Sequence, residues 1–223
     1  KKEKDWLLLK KADSFAGTEE LIERYPQSVL SGLTLEEIAD VPEKFSELHE
    51  HLRKIKAPKQ NFSARNQPLM LATLEEQPFS RPEWIFEIKY DGVRVLAERN
   101  GDTVELYGRN GTVITNRYPE IKEALKCLPV ERFVIDGEIV ALDERGQPAF
   151  QRLQARMHLT HPRDIQQAMG VVPVEGIFFD CLAVEGHDLR SLALLERKEI
   201  LKRFLPPLGS ARYSDHIVAA GKD

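Results

Sequence analysis

Glu87-Ile88-Lys89-Tyr90-Asp91-Gly92-Val93-Arg94 sets a lysine at the end of an apolar, strand-like segment and just before a glycine turn. Taken with the residues before it, Trp84 to Lys89 predicts a strand. Side chains alternate along a strand, so Trp84, Phe86 and Ile88 share one face and Ile85, Glu87 and Lys89 the other. Tyr90-Asp91-Gly92 then turns the chain, and Arg94 returns on the next strand. Two readings fit these residues alone. One is an Asp-Gly hairpin carrying a surface Glu–Lys pair; the other is a site that uses an amine crowded by acids. A lysine buried between carboxylates is costly unless it is engaged.

Working outward, Val93 to Glu98 and Thr103 to Tyr107 predict strands joined at Asn100-Gly101, a strong hairpin signal. Tyr118 to Cys127 reads as a helix, with Ile121, Leu125 and Leu128 at helical spacing. Phe133 to Leu142 and Gly176 to Val184 predict strands, Phe150 to Met157 a helix, and Leu194 to Phe204 an amphipathic helix stopped by Pro206-Pro207. Arg212 to Ala219 opens a further strand. Strands joined by tight turns pair antiparallel. The expected fold class is therefore α+β, mainly antiparallel sheets flanked by helices.

Residues 1–65 look different. Asp5 to Lys11 reads as a lone strand, such as would close an upstream domain. Thr34-Leu35-Glu36-Glu37 is a capping box, and Pro42 opens a helical segment from Glu43 to Lys54. Arg53, Lys54, Lys56 and Lys59 then form a basic linker, read either as a solvated connector or as a contact to a DNA backbone. The 223 residues are 42% hydrophobic and 30% charged, an ordinary globular composition. No apolar run approaches the roughly 18–20 residues that a membrane span needs. Two isolated cysteines, Cys127 and Cys181, fit a reducing cytoplasm. A net charge of −4 argues against a chain that wraps nucleic acid over its whole surface, but leaves room for a local basic face.

Three further segments bear on chemistry. In Val134-Ile135-Asp136-Gly137-Glu138-Ile139-Val140, two carboxylates fall on one face of an apolar strand. A metal ion, a basic partner or a sugar hydroxyl could offset them, or that face could be wet. Gly108-Arg109-Asn110-Gly111 holds a forked cation between glycines, suited to phosphate or sugar oxygens. Phe178-Phe179 presents one aromatic to each sheet face, one for the core and one able to stack on a base. Ser214-Asp215-His216 has triad residue types, but consecutive residues do not converge as a triad must. His158 and His161 lack a third ligand, and His49 and His51, in a charged helix, read as solvated.

Four of these segments, in this order, carry a resemblance. Lys89-Tyr90-Asp91-Gly92-Val93-Arg94 resembles motif I of the covalent nucleotidyltransferases, and Gly108-Arg109-Asn110-Gly111 is similar to the Arg-x-Gly element that follows it. Asp136-Gly137-Glu138 resembles motif III. Phe179-Asp180, with Gly186-His187-Asp188-Leu189 and Arg197, resembles motif IIIa. Residues 66–223 carry the likeness, which is to the adenylylation domain of ATP-dependent DNA ligases. Trp6 to Asp13 and Ser28 to Gly32 resemble the end of a phosphoesterase domain and its linker, as in the multidomain bacterial end-joining ligases.

The resemblance implies a nucleotidyltransferase (ATP-grasp-like) fold. Lys89 would attack the α-phosphate of ATP, release pyrophosphate and carry AMP. Glu87 would contact the adenine edge and Phe179 would stack on the ring. Arg94 and Arg109 would contact ribose or phosphate oxygens. Glu138 would face the ribose and help position Mg²⁺ or Mn²⁺. AMP would pass to the 5′-phosphate of nicked or broken double-stranded DNA, with Ku as a partner, in double-strand break repair at the bacterial nucleoid. The amine must be neutral to attack, so cations and a dry pocket would have to outweigh Glu87, Asp91 and Glu138. The family's motifs IV and V do not follow Arg212 to His216, which leads to the expectation of an incomplete domain unable to seal nicks alone. An RNA ligase, a capping-type enzyme and a non-catalytic nucleotide- or DNA-binding module are the alternatives.

Overall fold

The structure, a computed structural model, describes residues 17, 20–28, 33–65, 67–207 and 209–218. The strand expected at Asp5 to Lys11 and most of the likeness to a phosphoesterase end lie outside the described residues. In chain order the elements are α1 (Leu21–Arg24), α2 (Leu35–Ala39), α3 (Val41–Lys54), β1 (Ile85–Glu87), β2 (Val93–Asn100), β3 (Thr103–Gly108), α4 (Pro119–Lys126), β4 (Arg132–Ala141), α5 (Phe150–Met157), α6 (Pro162–Val171), β5 (Val174–Val184), β6 (His187–Asp188), α7 (Leu194–Lys202), β7 (Ala211–Tyr213) and β8 (His216–Val218). A short 3₁₀ turn, Thr115–Arg117, precedes α4.

The main sheet runs in the order β3-β2-β4-β5-β6, all antiparallel, with β7 added parallel to β5. The β2–β3 hairpin closes one residue later than the Asn100-Gly101 signal suggests. Asn100 pairs with Thr103, so Gly101-Asp102 is the loop, and Gly101 supplies the positive φ of 61°. A glycine with positive φ at the first loop position matches the right-handed twist of the strands it joins. The Thr34 capping box forms as read: Glu37 N–H donates to Thr34 Oγ1 and Thr34 N–H to Glu37 Oε2.

One face of the sheet is roofed by helices. Val95 and Ala97 of β2, Phe133, Ile135 and Ile139 of β4, and Phe178 and Cys181 of β5 pack there against Ile121 and Leu125 of α4, Leu153 of α5 and Ile200 and Leu201 of α7. Leu48 and Leu52 join the same core, so α3, read as part of a linker, is packed into the main body. On the other face a smaller cluster of Leu96, Tyr107, Val134 and Ala183 is covered by Ala64, Phe62 and Leu69. This second face is left open at the end where β2 begins.

Two expectations change. The strand read as Trp84 to Lys89 is only Ile85–Glu87, paired in a separate two-stranded sheet with β8. Lys89 therefore lies beyond the strand, and alternation does not tie it to Glu87. The two histidines of α3 are half-buried rather than solvated, and burial pushes the His51 imidazole down from its usual range. Helix α6 is not among the expected elements: of its side chains only Ile165 is buried, so its periodicity is faint.

Candidate active site

Strand register assembles the site. Arg94 lies opposite Glu138, and Leu96 opposite Asp136, which in turn lies opposite Asp180 on β5. The β4–β5 register shifts beside this row, so that Asp136 pairs with Asp180 but Gly137 with Phe178. Phe179 is the extra residue of that bulge, a device that re-aims a side chain. Phe178 is fully buried in the helix-roofed core, whereas Phe179 emerges half-exposed on the open face. The division of the two aromatics read from the sequence is thus observed.

Asp136 resolves its alternatives in favour of a basic partner. Arg94 Nε donates to Asp136 Oδ1 at 2.7 Å and Nη2 to Oδ2 at 2.9 Å, a forked pair. The guanidinium carbon also sits 4.6 Å from the Phe179 ring centroid, covering one face of the ring. Nη1 has no hydrogen-bond partner among the described residues. Burial raises the Asp136 carboxyl above its ordinary range, with Arg94 opposing and Asp180 reinforcing the rise. Burial also disfavours the Arg94 charge, but the Asp136 carboxylate more than restores it.

Glu138 differs from Asp136. It is half-buried and has no ion-pair partner among the described residues. Burial pushes its carboxyl upward, against the pull of Arg94, the Gly92 N–H and Lys89. Lys89 is exposed and close enough for its charge to act on Glu138. Gly92 makes this approach possible: a Cβ there would stand 2.2 Å from the Ile139 carbonyl oxygen and 3.0 Å from Glu138 Cγ. Only a residue without a side chain lets the loop after Lys89 lie this close to β4.

Arg109 is exposed in the tight turn after β3, where Gly111 N–H donates to Gly108 O. Gly108 lies opposite Val95, the neighbour of Arg94, so Arg109 belongs to the same end of the sheet. Lys89, Arg94, Arg109, Glu138 and Phe179 are therefore gathered at one open end. Glu87 accepts from the buried Lys198 of α7 at 2.5 Å. Sequence reasoning missed Lys198. Its signal was its place four residues after Leu194 and three before Leu201, on the inner stripe of α7. Asp180 is held by Arg197 through two 2.8 Å bonds. A groove of about 470 Å³ lies at the other end of the same strands, among Asn100, Arg132, Val184 and Gly186, and includes none of these residues. The gathered groups thus form an open cationic surface with one unpaired carboxylate, suited to a phosphorylated ligand bearing a flat base.

Residues 42–221 match the family described as ATP dependent DNA ligase domain. The chain belongs to this family. A probable DNA ligase of Streptomyces coelicolor is 45% identical to this ligase-family chain over 121 residues, 54% of the chain and 23% of that relative. The multifunctional non-homologous end joining protein LigD of Pseudomonas aeruginosa is 39% identical over 135 residues, 60% of the chain and 15% of that protein. Among solved structures, the ligase domain of M. tuberculosis LigD superposes with a TM-score of 0.57 at 27% identity, covering 72% of this chain and 48% of that one. A mycobacterial DNA ligase D complexed with ATP and MES matches with the same TM-score of 0.57 and 27% identity, covering 72% of this chain and 49% of that one. The nucleotidyltransferase fold expected from the motifs is therefore the fold of this ligase-family domain. The chain spans less than a quarter of the length of these two curated relatives.

Proposed function

We propose that this chain carries the nucleotide-accepting centre of an ATP-dependent DNA ligase, with Lys89 as the nucleophile. The observation that carries the reading is the convergence of Lys89, Arg94, Glu138 and Phe179 on one open end of the sheet. The Lys89 amine attacks the α-phosphorus of ATP; the N–P bond forms as the bond to pyrophosphate breaks, and the amine loses a proton. AMP then passes from Lys89 to the 5′-phosphate of a nick, and the 3′-hydroxyl displaces it. Arg94 Nη1 and Arg109 offer donors to ribose or phosphate oxygens, and Phe179 offers a ring for the base. Glu87 reads the adenine edge.

A divalent cation fits this donor set. Magnesium is commonly held by one or two carboxylates together with substrate phosphates. Glu138, half-buried, unpaired and beside Lys89, is such a carboxylate, and among the described residues no cluster of three or more acidic, His or Cys side chains forms a self-sufficient cage. Bound Mg²⁺ or Mn²⁺ would neutralise charge on the phosphates. The end-joining name of the LigD relative supports joining of broken DNA as the setting; the proposal further places the chain at the nucleoid in the bacterial cytoplasm, with Ku as the end-binding partner. No described helix is long and apolar enough to cross a membrane.

The test is the intact mass of the 223-residue chain after incubation with ATP and Mg²⁺ or Mn²⁺, beside Lys89→Ala. A gain of one AMP, lost in the variant, is expected. No adduct with either metal, or an adduct that persists in Lys89→Ala, overturns Lys89 as the nucleophile.

A further inference from the structure

We propose that Lys198 is the positioning residue that sets nucleobase recognition, holding the adenine-edge reader and the stacking aromatic in one frame. This rests on the adenylylation reading above. Lys198 is fully buried. An ammonium has three donors, and all three are used. One goes to Glu87 Oε1 at 2.5 Å, one to the Ser214 carbonyl at 3.0 Å and one to the Phe179 carbonyl at 3.2 Å. The Tyr213 ring lies 4.8 Å from the same nitrogen. A single atom thus joins β1, the bulge of β5 and the connection from β7 to β8.

Stability alone gives a weak reason for a charge here, because well-packed apolar residues replace buried ion pairs with little or no loss. The arrangement does have a geometric consequence. Lys198 binds the carboxylate of Glu87 and the backbone of Phe179, and so fixes the distance between the group that meets a base edge and the ring that meets its face. With Oε1 committed to Lys198, Oε2 of Glu87 is left as a bare acceptor on a side chain 28% exposed. Such an oxygen accepts from the 6-amino group of adenine and repels the 6-oxo oxygen of guanine. Selection for a 6-amino purine therefore depends on Lys198, although no part of Lys198 reaches the surface.

The test is a binding comparison that does not need turnover. Dissociation constants are measured for ATP, for purine riboside triphosphate, which lacks the 6-amino group, and for GTP, with the wild-type chain, Lys198→Met and Glu87→Gln. Wild type should favour ATP over the deamino analogue by about tenfold or more, the scale of a hydrogen bond to a charged group. In Lys198→Met that preference should shrink to about twofold, the range of uncoupled sites, while the analogue still binds. A ratio preserved in Lys198→Met, with both nucleotides weakened alike, would make Lys198 merely structural. If Lys198→Met fails to fold, Glu87→Gln decides: its amide still offers Lys198 an acceptor but turns an N–H donor to the base, so preference should move toward GTP. An unchanged preference for ATP there overturns the inference. Equal binding of ATP and the analogue by wild type overturns it too. A wild-type chain that binds no ATP sinks the adenylylation reading itself, which is a different result.

Discussion

On β4, Ile135 and Ile139 enter the helix-roofed core while Asp136 and Glu138 turn to the open face. On β5 the same division separates neighbours, Phe178 from Phe179. The two faces share one backbone, yet different forces hold them. The roofed face excludes water over a continuous apolar surface, so each side chain there contributes to the stability of the whole sheet. The open face keeps its charges by pairing them, Arg94 with Asp136 and Arg197 with Asp180, and leaves Lys89, Arg109 and Glu138 without an ion-pair partner among the described residues. The proposed chemistry thus falls on the charged face, on strands whose other side packs the larger core.

The sharpest way to break this comparison is to truncate the two adjacent aromatics. Phe178→Ala should destabilise the chain by about 3–5 kcal/mol, the range for a buried aromatic. Phe179→Ala should change stability by about 1 kcal/mol or less, the scale of the lost cation–π contact with Arg94, but should weaken ATP binding by about 1–3 kcal/mol. Urea unfolding beside nucleotide titration reads both. Equal destabilisation by the two variants would mean that the open face is no less structural than the core.

A smaller effect is expected from Gly92→Ala. The new methyl would meet the Ile139 carbonyl oxygen at 2.2 Å, and backbone cannot step aside as a side-chain end can. A loss of about 1–3 kcal/mol is expected, as for overpacking, together with a fall in adenylylation because the loop carrying Lys89 lifts from Glu138. Full adenylylation by a destabilised Gly92→Ala would show that the Lys89–Glu138 approach is incidental.

The smallest effect concerns pH. Burial raises the Glu138 carboxyl above the ordinary range, so the folded chain holds that proton more tightly than the unfolded one. The associated stability is present below the unfolded pKa, about pH 4, and is lost as pH rises through the raised folded value. At neutral pH the ionised group is therefore a liability. Glu138→Gln should raise the melting temperature slightly at pH 7, with the gap closing below about pH 4, and should reduce metal-dependent adenylylation. A variant less stable than wild type at pH 7 would indicate a stabilising partner for the Glu138 carboxylate.

Much of the two-faced sheet was legible because it follows from local pattern. Helix α5 starts and stops where it was read, β4 begins and ends one residue earlier than expected, and β5 differs only by a two-residue extension. The motif residues Lys89, Arg94, Arg109, Glu138 and Phe179 do gather at one end. What failed was local too weakly or not at all: α6 buries a single side chain, and β1 stops at Glu87 because its pairing with the distant β8 ends there, opposite His216.

Alternation along strands and turn residues at their ends are short-range properties, so the sequence by itself determined that Asp136 and Glu138 share one face of β4, that Phe178 and Phe179 part to opposite faces, and that a glycine turn follows Lys89, but not that β1 stops short of Lys89. Contacts between distant residues depend on register, bulges and helix docking. Only the tertiary structure decided that Arg94 covers Phe179 and pairs with Asp136, and that Glu87 is bound to a lysine 111 residues away. The physical reason is that a hydrogen bond is satisfied or lost within a few tenths of an ångström, and no residue pattern carries distances that fine.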